Sequence, residues 1–164
     1  MSKLVKVEKA TNIAVIVVFI VFSILFLVKV YDTYRSHPRI GERLPEFASY
    51  RWSTSESLVL VLQKGCHFCE ESMPFYRTLY RMEKAGQLSA NMVALFPNTH
   101  EESIEILRDQ SLPIPVISPV PVTSVGVAGT PTLILVDRER TVKGVWIGEL
   151  DSGGRAKIIE RLRK

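Results

Sequence analysis

The chain has 164 residues, of which 46% are hydrophobic, and its formal net charge at pH 7 is +4. That length accommodates one domain plus a short additional segment, and the scattered positive charge excludes the basic footprint of a nucleic-acid-binding protein. Two cysteines are too few for a disulfide-rich scaffold, so the fold must depend on a hydrophobic core.

An uncharged apolar run over residues 10–28 is the first distinctive segment of the chain. A helix of that length rises about 28 Å, close to the thickness of the hydrocarbon core of a bilayer. We therefore predict an N-terminal tail over residues 1–9 and a transmembrane anchor over residues 10–30. A cleaved signal peptide and a buried core helix are the competing interpretations, but the run has neither a cleavage site after it nor a polar face.

The connector over residues 31–52 is predicted to be a linker followed by an N-terminal edge segment. Its apolar residues Leu44 and Phe47 are expected to pack on the edge of a domain that spans residues 53–164. Leu58–Leu62 is a continuous apolar run, which is typical of a strand buried on both faces of a sheet.

The middle of the chain alternates between helical and extended patterns. Helical spacing of apolar residues predicts a helix over Cys69–Lys84, with Pro74 inside it and Gly86 as a left-handed stop. Asn91–Phe96 then predicts a second strand. Thr99–Glu102 fits a capping box that opens a helix through Gln110, with Ile104 and Leu107 facing inward.

The last third of the chain begins with the proline-rich segment Leu112–Val122, which is compatible with extended chain or an edge strand. Thr132–Val136 predicts a third apolar strand, and Val142–Ile147 is expected to return as its antiparallel partner. A terminal helix is predicted over Asp151–Leu162. This order of elements predicts an α/β fold with a central mixed sheet flanked by helices.

The motif Cys66-His67-Phe68-Cys69 holds both cysteines of the chain at the junction of a predicted strand and helix. There the unpaired N–H groups and the positive end of the helix dipole favour a thiolate at Cys66. Cys69 lies one turn further on, within reach to form or resolve a disulfide. The pattern predicts thiol–disulfide exchange with Cys66 as the nucleophile and Cys69 as the resolving thiol.

Three separated features together resemble the thioredoxin superfamily, and most closely its membrane-anchored TlpA/ResA-like redoxin branch. They are the Cys66-x-x-Cys69 motif, the helix proline Pro74 and the later Gly129-Thr130-Pro131 segment. The resemblance covers about residues 40–164. It implies a thioredoxin-like fold in which Pro131 is a cis-proline facing the dithiol and Thr130 offers backbone hydrogen bonds to an extended substrate.

The charged neighbours of the motif are candidates for tuning the thiolate. His67 (when protonated) and Lys64 would stabilise it, whereas the carboxylates of Glu70 and Glu71 would oppose it. The exchange reaction requires no cofactor and no metal. A module that binds copper or zinc through the two thiolates is the alternative from another functional class, and a redoxin fold without exchange activity is a third possibility.

These features predict a membrane-anchored thiol–disulfide oxidoreductase. Its expected partners are protein thiols or disulfides, a redox partner protein and the lipid bilayer through residues 10–30, with no nucleic acid. Lysines and arginines are nearly balanced on the two sides of the apolar run, so charge alone does not orient it. Because disulfide chemistry belongs to oxidising compartments, we expect the domain outside the cytoplasm, in a bacterial periplasm or on the outer face of the cell membrane.

Overall fold

A computed structural model of the chain describes residues 15–30, 38–52 and 55–163. The described residues belong to two compact units, one containing residues 15–30 and the other beginning with residue 38. The expected tail over residues 1–9 and the first part of the expected linker, residues 31–37, lie outside the described residues.

The first unit contains helix α1 over residues 15–30, whose large apolar side chains are exposed. Within the residues that the structure describes, no helix is both long and apolar enough to cross a bilayer. Residues 10–14, where the predicted anchor begins, are not among them.

The second unit is built on a five-stranded mixed sheet with the strand order β3-β2-β1-β4-β5. β1 pairs in parallel with β2, and β2 with β3, whereas β4 runs antiparallel to both β1 and β5. The strands are β1 (Glu56–Val61), β2 (Ala90–Leu95), β3 (Val116–Ile117), β4 (Thr132–Val136) and β5 (Val142–Ile147); the helices are α2 (His67–Lys84), α3 (His100–Asp109) and α4 (Ser152–Leu162), with a 3-10 helix at Val122–Val125.

The continuous apolar run of β1 is explained by burial on both faces of the sheet. Leu58 and Leu60 point into one core layer, which contains the buried side chains of α2, α3 and α4. Val59 and Val61 point into the opposite layer, because successive side chains of a strand alternate between its faces. That second layer is completed by residues from the N-terminal edge segment and from the loop before β4, namely Leu44, Phe47, Val125 and Val127.

The N-terminal edge segment is tied to the sheet by backbone hydrogen bonds. Gly41 donates to the carbonyl of Val142, and Leu44 donates to the carbonyl of Arg140. Both Leu44 and Phe47 are buried, as the sequence predicted. The segment therefore closes the core on the face of the sheet that α2 and α4 leave uncovered.

Most predicted elements are confirmed, and some of their ends shift by one or two residues. β4, β5 and the capping box at Thr99 have the predicted bounds. β1 begins at Glu56 because its polar first two residues pair with β2 in the parallel ladder, although nothing in their side chains indicates a strand. The proline-rich segment contributes the short edge strand β3.

The predicted inward orientation of Ile104 is wrong, since 44% of this residue is exposed. Ser103 instead occupies the inward position one turn before Leu107, and its hydroxyl donates a 2.7 Å hydrogen bond to the carbonyl of Thr99. Because that bond satisfies the hydroxyl within its own helix, the small polar side chain is tolerated in the core. The predicted inward orientation of Leu107 is confirmed, and Ser103 takes the inward position expected for Ile104.

Candidate active site

The turn between β1 and α2 presents the first cysteine at the start of the helix. Gly65 has a φ of 69°, a left-handed conformation that favours glycine, and it turns the chain into the helix. Cys66 then takes the N-cap position of α2, where its sulfur accepts a 3.2 Å hydrogen bond from the backbone N–H of Cys69. A cysteine sulfur thus fills the position usually held by the oxygen of Ser, Thr or Asp.

Cys66 and Cys69 are joined in a disulfide, with their Cα atoms 5.2 Å apart. The two sulfurs have different environments. Cys69 is 2% exposed and belongs to the core layer beneath α2, whereas Cys66 is partly exposed and only packs against that layer. The disulfide can therefore be approached from solvent at the Cys66 sulfur.

The loop before β4 lies against the accessible sulfur. The Sγ atom of Cys66 is 3.4 Å from the carbonyl oxygen of Thr130, and the Thr130–Pro131 peptide bond is cis. Pro131 is buried, and its carbonyl accepts a 2.8 Å hydrogen bond from the N–H of Gly148, just after β5. The structure thus brings Cys66 and Cys69 together with Thr130 and Pro131 in one site. The hydrogen bond from Gly148 ties the Thr130–Pro131 loop to the end of β5.

The two candidate tuning residues, Lys64 and His67, each lie against a carboxylate. The ammonium of Lys64 lies 2.7 Å from Glu102 of α3, which raises the pKa of Lys64 and lowers that of Glu102. His67 Nε2 lies 3.2 Å from a carboxylate oxygen of Glu71, one turn further along α2. Both candidate tuning residues are exposed, and their charged groups lie against these acids and not against the sulfurs.

Several solved structures with a similar arrangement of strands and helices carry names of thiol–disulfide exchange proteins. The chain superposes on a Chlorobium tepidum protein provisionally named thiol:disulfide interchange protein DsbE with a TM-score of 0.61 and 20% identity, covering 76% of this chain and 95% of that one. It also superposes on the thioredoxin domain of a thiol–disulfide oxidoreductase from Bacteroides vulgatus, with a TM-score of 0.55 and 16% identity over 75% and 96% of the two chains. The chain has the thioredoxin fold.

A third structure of this fold is a thiol–disulfide isomerase from Corynebacterium glutamicum, with a TM-score of 0.54 and 18% identity over 77% of this chain and 96% of that one. No family model and no curated protein matches the chain. At these identities the comparison establishes the thioredoxin fold.

A small cavity of about 200 Å³ reaches the buried member of the cysteine pair in this thioredoxin fold. Cys69 and Met73 line it from α2, and the loop after β1 contributes Gly65. Its polar lining comes from Gln63 and Lys64 after β1, from Glu70 of α2, and from Asp109 and Gln110 at the end of α3. Cys69 is therefore buried but borders a small cavity of mixed polar and apolar lining.

The alternative of a metal centre has no ligand set in the part of the chain that the structure describes. No group of three or more His, Cys, Asp and Glu side chains there is arranged to hold a metal ion.

Sequence reasoning missed the contribution of Gly148 and of the end of α3 to the site. Gly148 follows the last residue of β5, and the pairing of Thr132 with Ile147 places it beside Pro131. The predicted antiparallel hairpin could have revealed this contact if its register had been worked out. The sequence around Asp109 and Gln110 does not indicate that they line the cavity at Cys69, because their position depends on how α3 packs beside α2.

Proposed function

We propose that the chain is a thiol–disulfide oxidoreductase that exchanges its Cys66–Cys69 disulfide with the thiols and disulfides of other proteins. The observation that carries this proposal is the bonded cysteine pair at the start of α2, with one sulfur accessible beside the Thr130–Pro131 loop and the other buried. An inert structural disulfide has no need of this asymmetry.

In the reducing direction, the Cys66 thiolate attacks a sulfur of the substrate disulfide and forms a mixed disulfide, releasing one substrate thiolate, which takes up a proton. The Cys69 thiolate then attacks the Cys66 sulfur and releases the second substrate thiolate. Two electrons pass from the dithiol to the substrate, and a redox partner protein with a dithiol of its own restores the reduced pair. The same steps in reverse oxidise a substrate dithiol.

The start of α2 supports the nucleophilic role of Cys66. The N–H of Cys69 points at the Cys66 sulfur, and the positive end of the helix dipole favours negative charge at that position. His67 is exposed one residue further on, and its protonated form would add to this effect, although Glu71 partly offsets it. Lys64 contributes less, because its charge is shared with Glu102.

Thr130 and Pro131 are the proposed substrate-positioning residues. The Thr130 carbonyl lies 3.4 Å from the Cys66 sulfur, so a peptide whose cysteine bonds to Cys66 must run alongside this loop. Backbone groups of Thr130 can pair with such a peptide whatever its side chains are, as in the addition of a strand. Recognition of this kind suits an enzyme that acts on several proteins.

We further propose that residues 10–30 anchor the protein in a membrane with the redox domain outside the cytoplasm. The uncharged run over residues 10–28 and the exposed apolar side chains of α1 support the anchor. Redox-active disulfides are maintained in oxidising compartments, which supports the location.

The exchange reaction is tested with two serine variants and insulin reduction by dithiothreitol as the assay. Cys66→Ser should reduce the rate to the uncatalysed background, because the nucleophile is gone. Cys69→Ser should instead accumulate a mixed disulfide with the substrate, visible on a non-reducing gel. Ser152→Ala, on the exposed start of α4, is the control and should keep the wild-type rate. A wild-type rate in Cys66→Ser would refute the proposed function.

The location is tested by labelling intact bacterial cells that express the full chain, after mild reduction, with a membrane-impermeant maleimide. Cys66 should be labelled without disruption of the membrane, and the variant lacking both cysteines supplies the background. Labelling that appears only after lysis would place the domain in the cytoplasm.

A further inference from the structure

A second cavity, of about 780 Å³, lies between the N-terminal edge segment and the β4–β5 turn. None of its lining residues belongs to the cysteine site. Four arginines line it, namely Arg43, Arg51, Arg138 and Arg140, whereas Glu46 is the one carboxylate in the lining. The formal charge of this lining is therefore 4 − 1 = +3, on a domain whose remaining charges nearly cancel.

Many of the donors on these guanidinium groups have no partner within the described residues. Arg140 uses one Nη atom for Glu46 at 3.1 Å, and Arg43 uses its Nε atom for the carbonyl of Glu139 at 2.7 Å. Arg138 uses Nε for the Glu139 carboxylate, and no hydrogen bond or ion pair joins Arg51 to another described residue. Because each guanidinium carries five N–H donors, most of them remain available to a ligand.

The wall of the cavity adds aromatic rings. Trp52 packs against Tyr50 with the ring centroids 5.2 Å apart. Its indole Nε1 atom is buried and has no hydrogen-bond partner. Because solvent does not reach this atom, the arginines, and not the indole N–H, supply the donors of the open cavity.

The turn that presents two of the arginines is rigidly built. The carboxylate of Asp137 accepts hydrogen bonds from the N–H groups of Glu139 at 3.0 Å and Thr141 at 2.8 Å. Arg140 has a left-handed backbone with a φ of 68°, which is uncommon for a residue other than glycine. The backbone that carries Arg138 and Arg140 is therefore ordered before any ligand arrives, which lowers the entropic cost of binding.

We propose that this cavity binds a phosphate group, and that its source is the headgroup of an anionic phospholipid. Guanidinium groups match phosphate oxygens in bidentate geometry, and the cavity is large enough for a headgroup. Arg43 follows the last residue of the uncharged run by 15 residues (43 − 28), so extended chain reaches about 50 Å at most from the run to the cavity. The lipid as the source rests on the proposed anchor, whereas the phosphate chemistry rests on the cavity alone.

The test uses the full chain in micelles of the uncharged detergent dodecyl maltoside. Short-chain phosphatidylglycerol is titrated into the sample, and binding is followed by tryptophan emission, since Trp52 lies in the cavity. Dioctanoyl phosphatidylcholine, with no net charge, and glycerol phosphate, without acyl chains, are titrated in parallel. We expect saturable binding of phosphatidylglycerol, with phosphatidylcholine and glycerol phosphate each at least about tenfold weaker.

Two variants with the same net charge separate the cavity from general charge attraction. Arg51→Gln with Arg138→Gln should weaken phosphatidylglycerol binding at least about tenfold. Arg108→Gln with Lys157→Gln removes two exposed charges elsewhere on the domain and should leave the affinity within about twofold. An equal loss in both variants, or no saturable binding, would overturn the proposal.

Glycerol phosphate that binds as tightly as phosphatidylglycerol would support the phosphate site and overturn the lipid as its source. Insulin reduction is measured on the same samples. In the wild-type protein, intact exchange without saturable lipid binding would overturn this site and leave the proposed function in place, whereas lipid binding without exchange would do the reverse.

Discussion

Cys66 and Cys69 share one bond but occupy opposite sides of the boundary between solvent and core. Cys69 belongs to the same buried layer as Met73 and Tyr76 of α2, and Cys66 stands at the rim of that layer. This arrangement sets the order of events in the proposed exchange reaction, because an external disulfide meets Cys66 first. Cys69 acts next, on a bond that has already formed within its reach.

After reduction of the pair, we therefore expect iodoacetamide to modify Cys66 at least about tenfold faster than Cys69. Burial of Cys69 slows its modification, and the position of Cys66 at the start of α2 favours its thiolate. Mass spectrometry of proteolytic fragments at successive times measures the two rates. In urea the rates should converge, and convergence already in the folded protein would contradict the proposed roles.

Glu83 is a carboxylate that the fold holds in an unfavourable environment. Burial raises its pKa even though Lys84 is nearby, and one of its oxygens has no hydrogen-bond partner. The folded state therefore binds the proton more tightly than the unfolded chain does. The free energy of unfolding should fall as the pH rises from the ordinary pKa of a glutamate through the raised one.

Glu83→Gln should be more stable than the wild type at pH 7, because the amide carries no charge to desolvate. The advantage should shrink as the pH falls below the ordinary pKa of a glutamate, where Glu83 is protonated in both states. Urea unfolding at pH 4 and pH 7 measures both differences. Glu160→Gln, at an exposed position on α4, is the control and should show no such pH-dependent gain.

Helix α3 depends on its N-terminal capping box. Thr99 accepts from the N–H of Glu102 at 3.3 Å, and the Glu102 carboxylate accepts in turn from the N–H of Thr99 at 3.4 Å. Thr99→Ala should lower the free energy of unfolding by about 1 kcal/mol. Thr123→Ala, at an exposed position in the 3-10 helix, should cost less than about 0.5 kcal/mol. Equal costs in urea unfolding would show that the cap does not contribute.

Helices and strands could be predicted where a short local sequence determines them. The face that a helix turns toward the core could not always be predicted. The Thr99–Glu102 sequence predicts the start of α3, because a capping box depends on only four adjacent residues. The prediction for Ile104 was wrong because it did not allow for a polar residue on the inward face. Ser103 can face the core because its hydroxyl donates a hydrogen bond to the carbonyl of Thr99. Ile104 instead lines an apolar groove between α3 and β3.

Across the whole domain, the N-terminal edge segment is part of the core although it contains no regular strand. Leu44 is 4% exposed and packs in the same layer as Val59 and Val142, whereas Ile40, four residues earlier, is 73% exposed. Leu44→Ala should therefore cost about 2–5 kcal/mol of stability, and Ile40→Ala less than about 0.5 kcal/mol. Thermal unfolding followed by circular dichroism tests this, and similar melting temperatures for the two variants would place the segment outside the core.

The overall fold and the cysteine site could be predicted because their signals are short and strong. The spacing of Cys66 and Cys69 and the Gly129-Thr130-Pro131 segment indicate the site, and the continuous apolar runs indicate the strands. The arginine-lined cavity could not be predicted, since Arg51 and Arg138 are distant in sequence and each looks like an ordinary surface residue. They meet because the sheet places β4 and β5 beside the N-terminal edge segment.

The short length of the edge strand β3 affects the tendency of the protein to aggregate at high concentration. An open sheet margin is a template on which a second molecule can add its own strand and start aggregation. Here that margin is two residues long, and Pro115 and Pro119 stand close to either end of it without an N–H to offer. Growth of fibrils from this side of the sheet is thereby obstructed, even in concentrated samples of the protein.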